Sequence, residues 1–189
     1  KNETGKETYW TNSAFGGMAT YQLGAKYPYN FIKKLDLSLR FLPRPADYLF
    51  LYLMGFYILL LAFRIDFRMA ILGALAFGFS TYLIIIIGVG HNAKAHAIAY
   101  MPLVLSGILL TFQKRYRLGF VLTTISVALE LVANHFQMTY YLLFVILFIG
   151  MVYAAKSYRN KEIPSFIKAA LILIAAAGLA VGMNATNLL

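Results

Sequence analysis

Long apolar runs separated by short polar connectors constrain the fold of this chain more than any other feature. A helix that crosses the hydrocarbon core of a bilayer needs about 20 apolar residues at a rise of about 1.5 Å per residue. Pro102 interrupts one run, but proline can kink a membrane helix without ending it, and the division around residues 88–96 stays open. The pattern predicts an all-α fold, a polytopic transmembrane helix bundle of about six spans. The predicted spans are 47–63, 69–88, 95–112, 117–133, 136–154 and 165–183.

The composition also indicates an integral membrane protein, with the lipid bilayer as its main partner. Hydrophobic residues make up 61% of the chain and charged residues only 13%, whereas soluble domains carry about 25% charged residues. The formal net charge of +10 does not favour nucleic-acid binding, because most of the basic residues lie beside apolar runs, where they anchor topology. The chain has no cysteine, which excludes disulfide and thiolate chemistry.

The connectors between the runs alternate in charge. Connectors 63–68, 113–117 and 156–162 together carry eight Lys and Arg residues, whereas 90–96 and 133–137 together carry one. Basic loops are retained in the cytoplasm. The alternation therefore predicts a multi-pass protein whose 90–96 and 133–137 connectors face outward.

The chain divides into two predicted regions, an outer-face loop over residues 1–46 and the helix bundle over 47–189. Within the loop, apolar residues recur at helical spacing with basic residues between them, which is typical of an amphipathic helix lying at the membrane interface. An ordinary surface helix is the alternative. The apolar positions are Phe31, Leu35, Leu39 and Leu42.

Glu130 is the strongest single candidate for a functional residue. It is predicted to lie in the outer part of the hydrocarbon, where an acid costs roughly 2.5–3.5 kcal/mol and therefore suggests a function or a buried partner. Asn134, Gln137 and Tyr141 would share its face if the helix continued unbroken. The alternative is that Glu130 pairs with Lys94 or with a histidine purely for packing.

A second cluster, His91, Asn92, Lys94 and His96, lies between two apolar runs. If a helix begins near Asn92, its free N–H groups together with Lys94 and His91 would suit an anion such as a phosphate. A capped helix start with Lys94 extending to lipid headgroups is the alternative.

A metal site receives less support from these residues. His91 and His96 are five positions apart, which places them on different faces of a helix, and neither an HExxH pattern nor a His/Cys cluster is present. Zinc is therefore not expected. A divalent cation held by Glu130 and an acid outside this chain stays open as an alternative.

The segment YWTNSAFGGMATYQ, residues 9–22, combines aromatic rings with short hydrogen-bonding side chains. Trp10, Asn12 and Gln22 would suit contacts with a carbohydrate or an isoprenoid chain. An interfacial aromatic belt explains the same pattern.

Three motifs, in this order and at these separations, resemble the YfhO-type membrane proteins, especially the Bacteroidetes branch. They are WTNSAFGGMATYQ, GHNAKAHAIAYMPLVLSGILL and ALELVANHFQMTYY. Ala19 departs from the resemblance, since relatives often carry proline after GGM. These proteins belong to the C-type glycosyltransferase superfamily, so the resemblance implies a fragment of a longer bacterial inner-membrane protein.

The resemblance implies transfer of a sugar from a polyprenyl-phosphate donor to an acceptor on the outer face. Lys94 and His91 would hold the donor phosphate, with Asn92 and His96 nearby. Glu130 would support catalysis, and the main catalytic acid would lie upstream of Lys1. The residues expected to line the same cavity are Asn134, His135 and Gln137. A transporter or flippase, or a non-enzymatic structural subunit, stays as an alternative.

Overall fold

The computed structural model describes residues 10–11, 17–19 and 30–185, and in this part of the chain it is helical apart from one short strand pair. Strands β1 (Trp10–Thr11) and β2 (Met18–Ala19) are antiparallel, with Trp10 opposite Ala19. The helices are α1 (Phe31–Leu39), α2 (Ala46–Ala62), α3 (Phe67–Gly78), α4 (Thr81–Gly88), α5 (Asn92–Phe112), α6 (Tyr116–Val132), α7 (Phe136–Arg159) and α8 (Ile163–Met183). The all-α class is confirmed.

All six predicted spans are helical, but fewer of the helices are long enough to cross a membrane. Among the described residues, α5, α7 and α8 are long and apolar enough, and α3 with α4, bent by 46°, gives a fourth if the pair counts as one span. Helices α2 and α6 have 17 residues each, or about 26 Å, which is short of a hydrocarbon core of about 30 Å. The structure therefore supports a protein with apolar helices that could span a membrane, with fewer spans than predicted.

Helix α5 lies at the centre of the bundle. Of its most apolar stretch, 83% is buried, compared with 11% for α7 and 17% for α8. The apolar side chains of α7 and α8 thus face outward, away from the protein, as expected for helices that contact lipid. Because α5 is surrounded by protein, polar side chains on it can find protein partners.

Helices α5 and α6 approach so closely that only small residues fit between them. A Cβ atom added to Gly107 would lie 2.6 Å from the backbone nitrogen of Thr123, and one added to Gly119 would lie 2.7 Å from that of Thr111. Each helix therefore presents a glycine and a threonine four residues apart to its neighbour. Small residues at such spacing let helix backbones pack closely in membranes.

Helix α1 packs across one end of this pair, with a different face from the predicted one. Its buried residues are Ile32 and Asp36, whereas Phe31 is 75% exposed. Leu35 and Leu39 are only partly buried against the core. The buried face of α1 therefore differs from the predicted apolar face, because Asp36 finds partners inside the protein. Phe31 stays on the outside, where an interfacial helix would present it to lipid.

The bundle has two ends, which differ in their side chains. We call the end where α5 begins and α6 finishes the histidine end, because it carries His91, His96 and His135. We call the opposite end, with the connectors after α5 and α7, the lysine end. At the lysine end, Arg64, Lys114 and Lys161 have positive φ angles of 62°, 67° and 58°, and each follows a helix C-terminus, where a positive charge is favourable.

Substitution of the close-packed glycines should destabilise the bundle. In Gly107→Ala or Gly119→Ala, the new methyl group would meet backbone atoms of the facing helix, and overpacking of this kind costs about 1–3 kcal/mol. Gly178→Ala is the matched control, because a Cβ atom there meets nothing within 4 Å. Thermal unfolding in detergent should show lower midpoints for the first two variants only. Equal midpoints in all three would contradict the close α5–α6 contact.

Candidate functional site

A buried carboxylate at the histidine end joins α1 to α5. The side chain of Asp36 is fully buried, with 0% exposure. Its Oδ1 atom lies 2.5 Å from Nε2 of His96 and accepts a hydrogen bond of 2.8 Å from the hydroxyl of Tyr100. Arg40 donates to the same carboxylate, through Nη2 at 2.8 Å and Nε at 3.3 Å. Three side chains therefore satisfy this one acid.

Arg40 extends the contacts to α2. Its Nη1 atom lies 3.5 Å from Oδ2 of Asp47, which is also buried. The guanidinium lies 5.7 Å from the ring centroid of Tyr48. We call Asp36, Arg40, Asp47, His96 and Tyr100 the Asp36 network, and it ties α1, α2 and α5 together.

The network keeps Asp36 ionised. Burial alone would raise the pKa of this carboxyl, but the hydrogen bonds and charges of His96 and Arg40 outweigh burial and hold the pKa at about 2, below its ordinary value of 3.8. A folded-state pKa below the unfolded one means that the stabilisation is complete above about pH 4 and is lost as the pH falls toward about 2. The network is therefore a charged structural element at neutral pH.

Asp36→Asn should lower stability at neutral pH and flatten its dependence on pH between about 4 and 2. Removal of one partner from a buried ion pair costs about 3–5 kcal/mol, because the other charge stays buried. Asp66→Asn is the control, since Asp66 is exposed and asparagine caps a helix as well as aspartate does. Denaturation midpoints measured across this pH range should separate the two variants. If both variants followed the unsubstituted protein, the network would not stabilise the fold.

Glu130 lies near the end of α6 and is 1% exposed. It accepts hydrogen bonds from the hydroxyl of Thr139 on α7, with distances of 2.9 and 3.1 Å to its two oxygens. Among the described residues it forms no ion pair with Lys94 or with a histidine. Its surroundings are therefore not those of the packing pair considered as an alternative.

The helix that carries Glu130 does not continue unbroken. It ends at Val132, and Asn134 takes a positive φ angle of 53° before α7 begins at Phe136. The expectation that Asn134, Gln137 and Tyr141 share the face of Glu130 on one helix is wrong. Gln137 instead donates to the hydroxyl of Tyr141 at 2.8 Å, on the exposed side of α7.

His135 lies in the turn between α6 and α7 and is half-buried. Its Nδ1 atom is buried and has no hydrogen-bond partner among the described residues. Thr139, which contacts Glu130, follows four residues later on α7. Because buried polar atoms are nearly always satisfied, this nitrogen is a candidate contact for a ligand beside Glu130.

The condition attached to the anion-site prediction, a helix that begins near Asn92, is met in the structure. Helix α5 begins at Asn92 after the N-cap residue His91, and Gly90 has a positive φ angle of 80° at the preceding turn. The side chain of Lys94 is half-buried, with its Nζ atom 5.5 Å from the ring centroid of Tyr82. Lys94 forms no ion pair in the described part of the chain.

The four residues of the predicted cluster divide between the surface and the interior. His91 and Asn92 are exposed, whereas His96 is 7% exposed and contacts Asp36. A separation of five residues turns a helix by about 140° beyond a full turn, so His96 faces away from His91. His96 belongs to the Asp36 network and does not lie beside Lys94 as part of one anion site.

The structure gives little support to the remaining predicted contacts or to the alternative of a metal site. Trp10 is 56% exposed, and Asn12 and Gln22 lie outside the described residues. Within residues 10–11, 17–19 and 30–185, no group of three or more His, Cys, Asp or Glu side chains could hold a metal ion.

The structure also adds Asn184, whose Nδ2 atom donates to the carbonyls of Ala128 and Ala180 at 3.0 Å each.

Sequence reasoning missed Asp36, Arg40, Asp47 and Tyr100. A signal for the first two was present, because an aspartate and an arginine four residues apart on a helix form a natural ion pair. On the predicted interfacial helix both residues fall between the apolar positions, and that placement does not indicate a buried partner for either of them. No local pattern indicates the contact of Asp36 with His96, which is 60 residues away.

Comparison with models of protein families, with curated proteins and with solved structures finds no match for this chain. The resemblance to YfhO-type proteins therefore stays a prediction that depends on three sequence motifs.

Proposed function

We propose that this chain is part of a membrane glycosyltransferase that transfers a sugar from a polyprenyl-phosphate donor to an acceptor on the outer face of the bacterial inner membrane. The observation that supports it most is the state of Lys94. Lys94 lies in the first turn of α5, close in sequence to exposed His91 and Asn92, and its ammonium group has no carboxylate partner among the described residues. A cation without an acid is what a phosphate site requires.

In this proposal the histidine end faces outward and α1 lies at the membrane surface. Each of the six predicted segments then crosses the bilayer, with α3 and α4 as one bent span and the short helices α2 and α6 aided by local thinning of the bilayer. The eight basic residues of the lysine-end connectors would face the cytoplasm.

The start of α5 would stabilise the leaving group. As the bond between the sugar and the phosphate oxygen breaks, negative charge accumulates on the polyprenyl phosphate. In the first turn of α5, the N–H of Asn92 donates to the carbonyl of Gly90, whereas the N–H groups of Ala93 and Lys94 have no carbonyl partner within the helix. Together with the side chains of Lys94 and His91, these two N–H groups would face this charge. Donors placed where charge develops usually supply a large share of catalysis.

Glu130 and His135 would act on the acceptor side. Glu130 has only the hydroxyl of Thr139 as a partner, and the Nδ1 atom of His135 has none in the described part of the chain. Both groups can therefore form further hydrogen bonds, either to orient an acceptor hydroxyl or to assist the main base. The resemblance implies that this main base lies upstream of Lys1.

A transporter or flippase is the second candidate. The observation that favours it is the break between α3 and α4, where the chain bends by 46°, because broken helices mark the binding sites of many transporters. Phe79 and Ser80 lie at this break, and neither carries a charge. The break therefore favours transport less than Lys94 favours sugar transfer.

Lys94→Ala in the full-length protein should reduce sugar transfer by about 100-fold, as expected for loss of one charge that stabilises the leaving group, and Lys94→Arg should retain most of it. Lys168→Ala is the matched control, because its Nζ atom lies 4.8 Å from the ring centroid of Tyr116 at the opposite end, an arrangement like that of Lys94 with Tyr82. The assay measures transfer from sugar-charged polyprenyl phosphate in native membranes.

Three other outcomes would contradict the proposal. Transfer that is unchanged in Lys94→Ala would remove Lys94 from the donor site. Movement of the donor lipid across the membrane without any sugar transfer would favour a transporter. Loss of assembly with partner proteins, with no change in any glycan, would favour a structural subunit.

A further inference from the structure

A cavity of about 230 Å³ lies at the lysine end, far along the bundle from the histidine end. It is bounded by the connector after α5, the last turns of α7 and the first turns of α8. Its polar wall includes Lys114, Lys156, Ser157, Asn160 and Glu162. None of the residues assigned to sugar transfer lines it.

The wall has a net positive charge. Lys114 is neutralised by Glu162, with Nζ to Oε1 at 2.9 Å, and this carboxylate raises the pKa of the lysine. Lys156 forms no ion pair in the described part of the chain. Two lysines against one glutamate leave one positive charge, and the hydroxyl of Ser157 and the amide of Asn160 are hydrogen-bond donors beside it.

The floor of the cavity is aromatic. The ring of Phe112 stacks on the ring of Tyr153, with centroids 4.3 Å apart. It also stacks on the ring of Phe166, with centroids 5.8 Å apart. A ligand in this cavity therefore meets cations and hydrogen-bond donors as well as aromatic rings. Such a combination fits an anionic group attached to an apolar body.

The outer surfaces of α7 and α8 also carry exposed apolar side chains. Met151 and Val152 on α7 are 63% and 51% exposed, and Ile163 and Ile167 on α8 are 45% and 51% exposed. This surface could take acyl chains, whereas free phosphate would use none of it. The position at the end of two apolar helices is also where lipid headgroups lie.

We propose that this cavity binds the phosphate of an anionic phospholipid. Lys156 forms the main charge contact with the phosphate, and Ser157 and Asn160 donate hydrogen bonds to it. The rings of Phe112, Tyr153 and Phe166 contact the glycerol region, and the acyl chains follow the outer surfaces of α7 and α8. Basic pockets between membrane helices bind lipid headgroups in this way.

The test measures thermal unfolding of the full-length protein in detergent, with added phosphatidylglycerol, phosphatidylcholine or inorganic phosphate. A ligand that binds only the folded state raises the midpoint. We expect phosphatidylglycerol to raise it by about 3 °C or more, and the other two additions to leave it nearly unchanged. Lys156→Gln should remove most of this shift, and Lys156→Arg should retain it.

Arg68→Gln is the matched control for the loss of one charge, because Arg68 is a basic residue at the same end that does not line the cavity. It should leave the lipid shift intact. Equal shifts with both lipids, or equal loss of the shift in Arg68→Gln and Lys156→Gln, would overturn the proposal. An equal shift with inorganic phosphate would identify a soluble anion as the ligand and overturn the lipid assignment. Sugar transfer by Lys156→Gln is a separate readout, so either proposal can fail alone.

Discussion

The close contact between α5 and α6 is the interaction on which the rest of this structure depends. Lipid tails are as apolar as leucine side chains, so helices in a bilayer associate through tight packing and not through removal of apolar surface from water. Gly107 and Gly119 allow that packing, because neither helix could approach the other's backbone with a larger residue there. The result is a central helix whose polar residues, His96 and Tyr100 among them, are surrounded by protein.

Asp36 and Glu130, two of the buried acids at the histidine end, differ in how many hydrogen-bond partners they have. Asp36 has hydrogen bonds from three side chains, and one of these, Arg40, is itself paired with Asp47. A buried charge needs such partners to be tolerated at all, so this acid fixes α1 across the end of the bundle. Within the described part of the chain Glu130 has one hydroxyl partner, which leaves its oxygens with unused hydrogen-bonding capacity. We therefore assign Asp36 to architecture and Glu130 to the proposed chemistry.

The helices could be predicted from the sequence because apolar runs and charged connectors are local patterns, although α5 begins at Asn92, three residues before the predicted span of 95–112. The number of membrane spans could not be predicted in this way. Helices α2 and α6 have the sequence pattern of helices, but each is only 17 residues long. The candidate site was predicted only where its residues are neighbours in the chain. Asp36 and His96 meet through tertiary packing, and the turn at Asn134 separates Glu130 from Gln137 despite a spacing that fits one helix.

The short stretch from His91 to His96 has two roles because of the geometry of a helix. Residues at its beginning face outward, and Lys94 lies against Tyr82 with no acid partner among the described residues. His96, two residues later, faces inward to Asp36. The buried contact therefore holds the first turn of α5 in place, and the exposed residues take their positions from it. A phosphate site at Lys94 would not need a rigid loop of its own, since the Asp36 network anchors that turn to α1 and α2. This connects the architecture of the histidine end to the chemistry proposed for it.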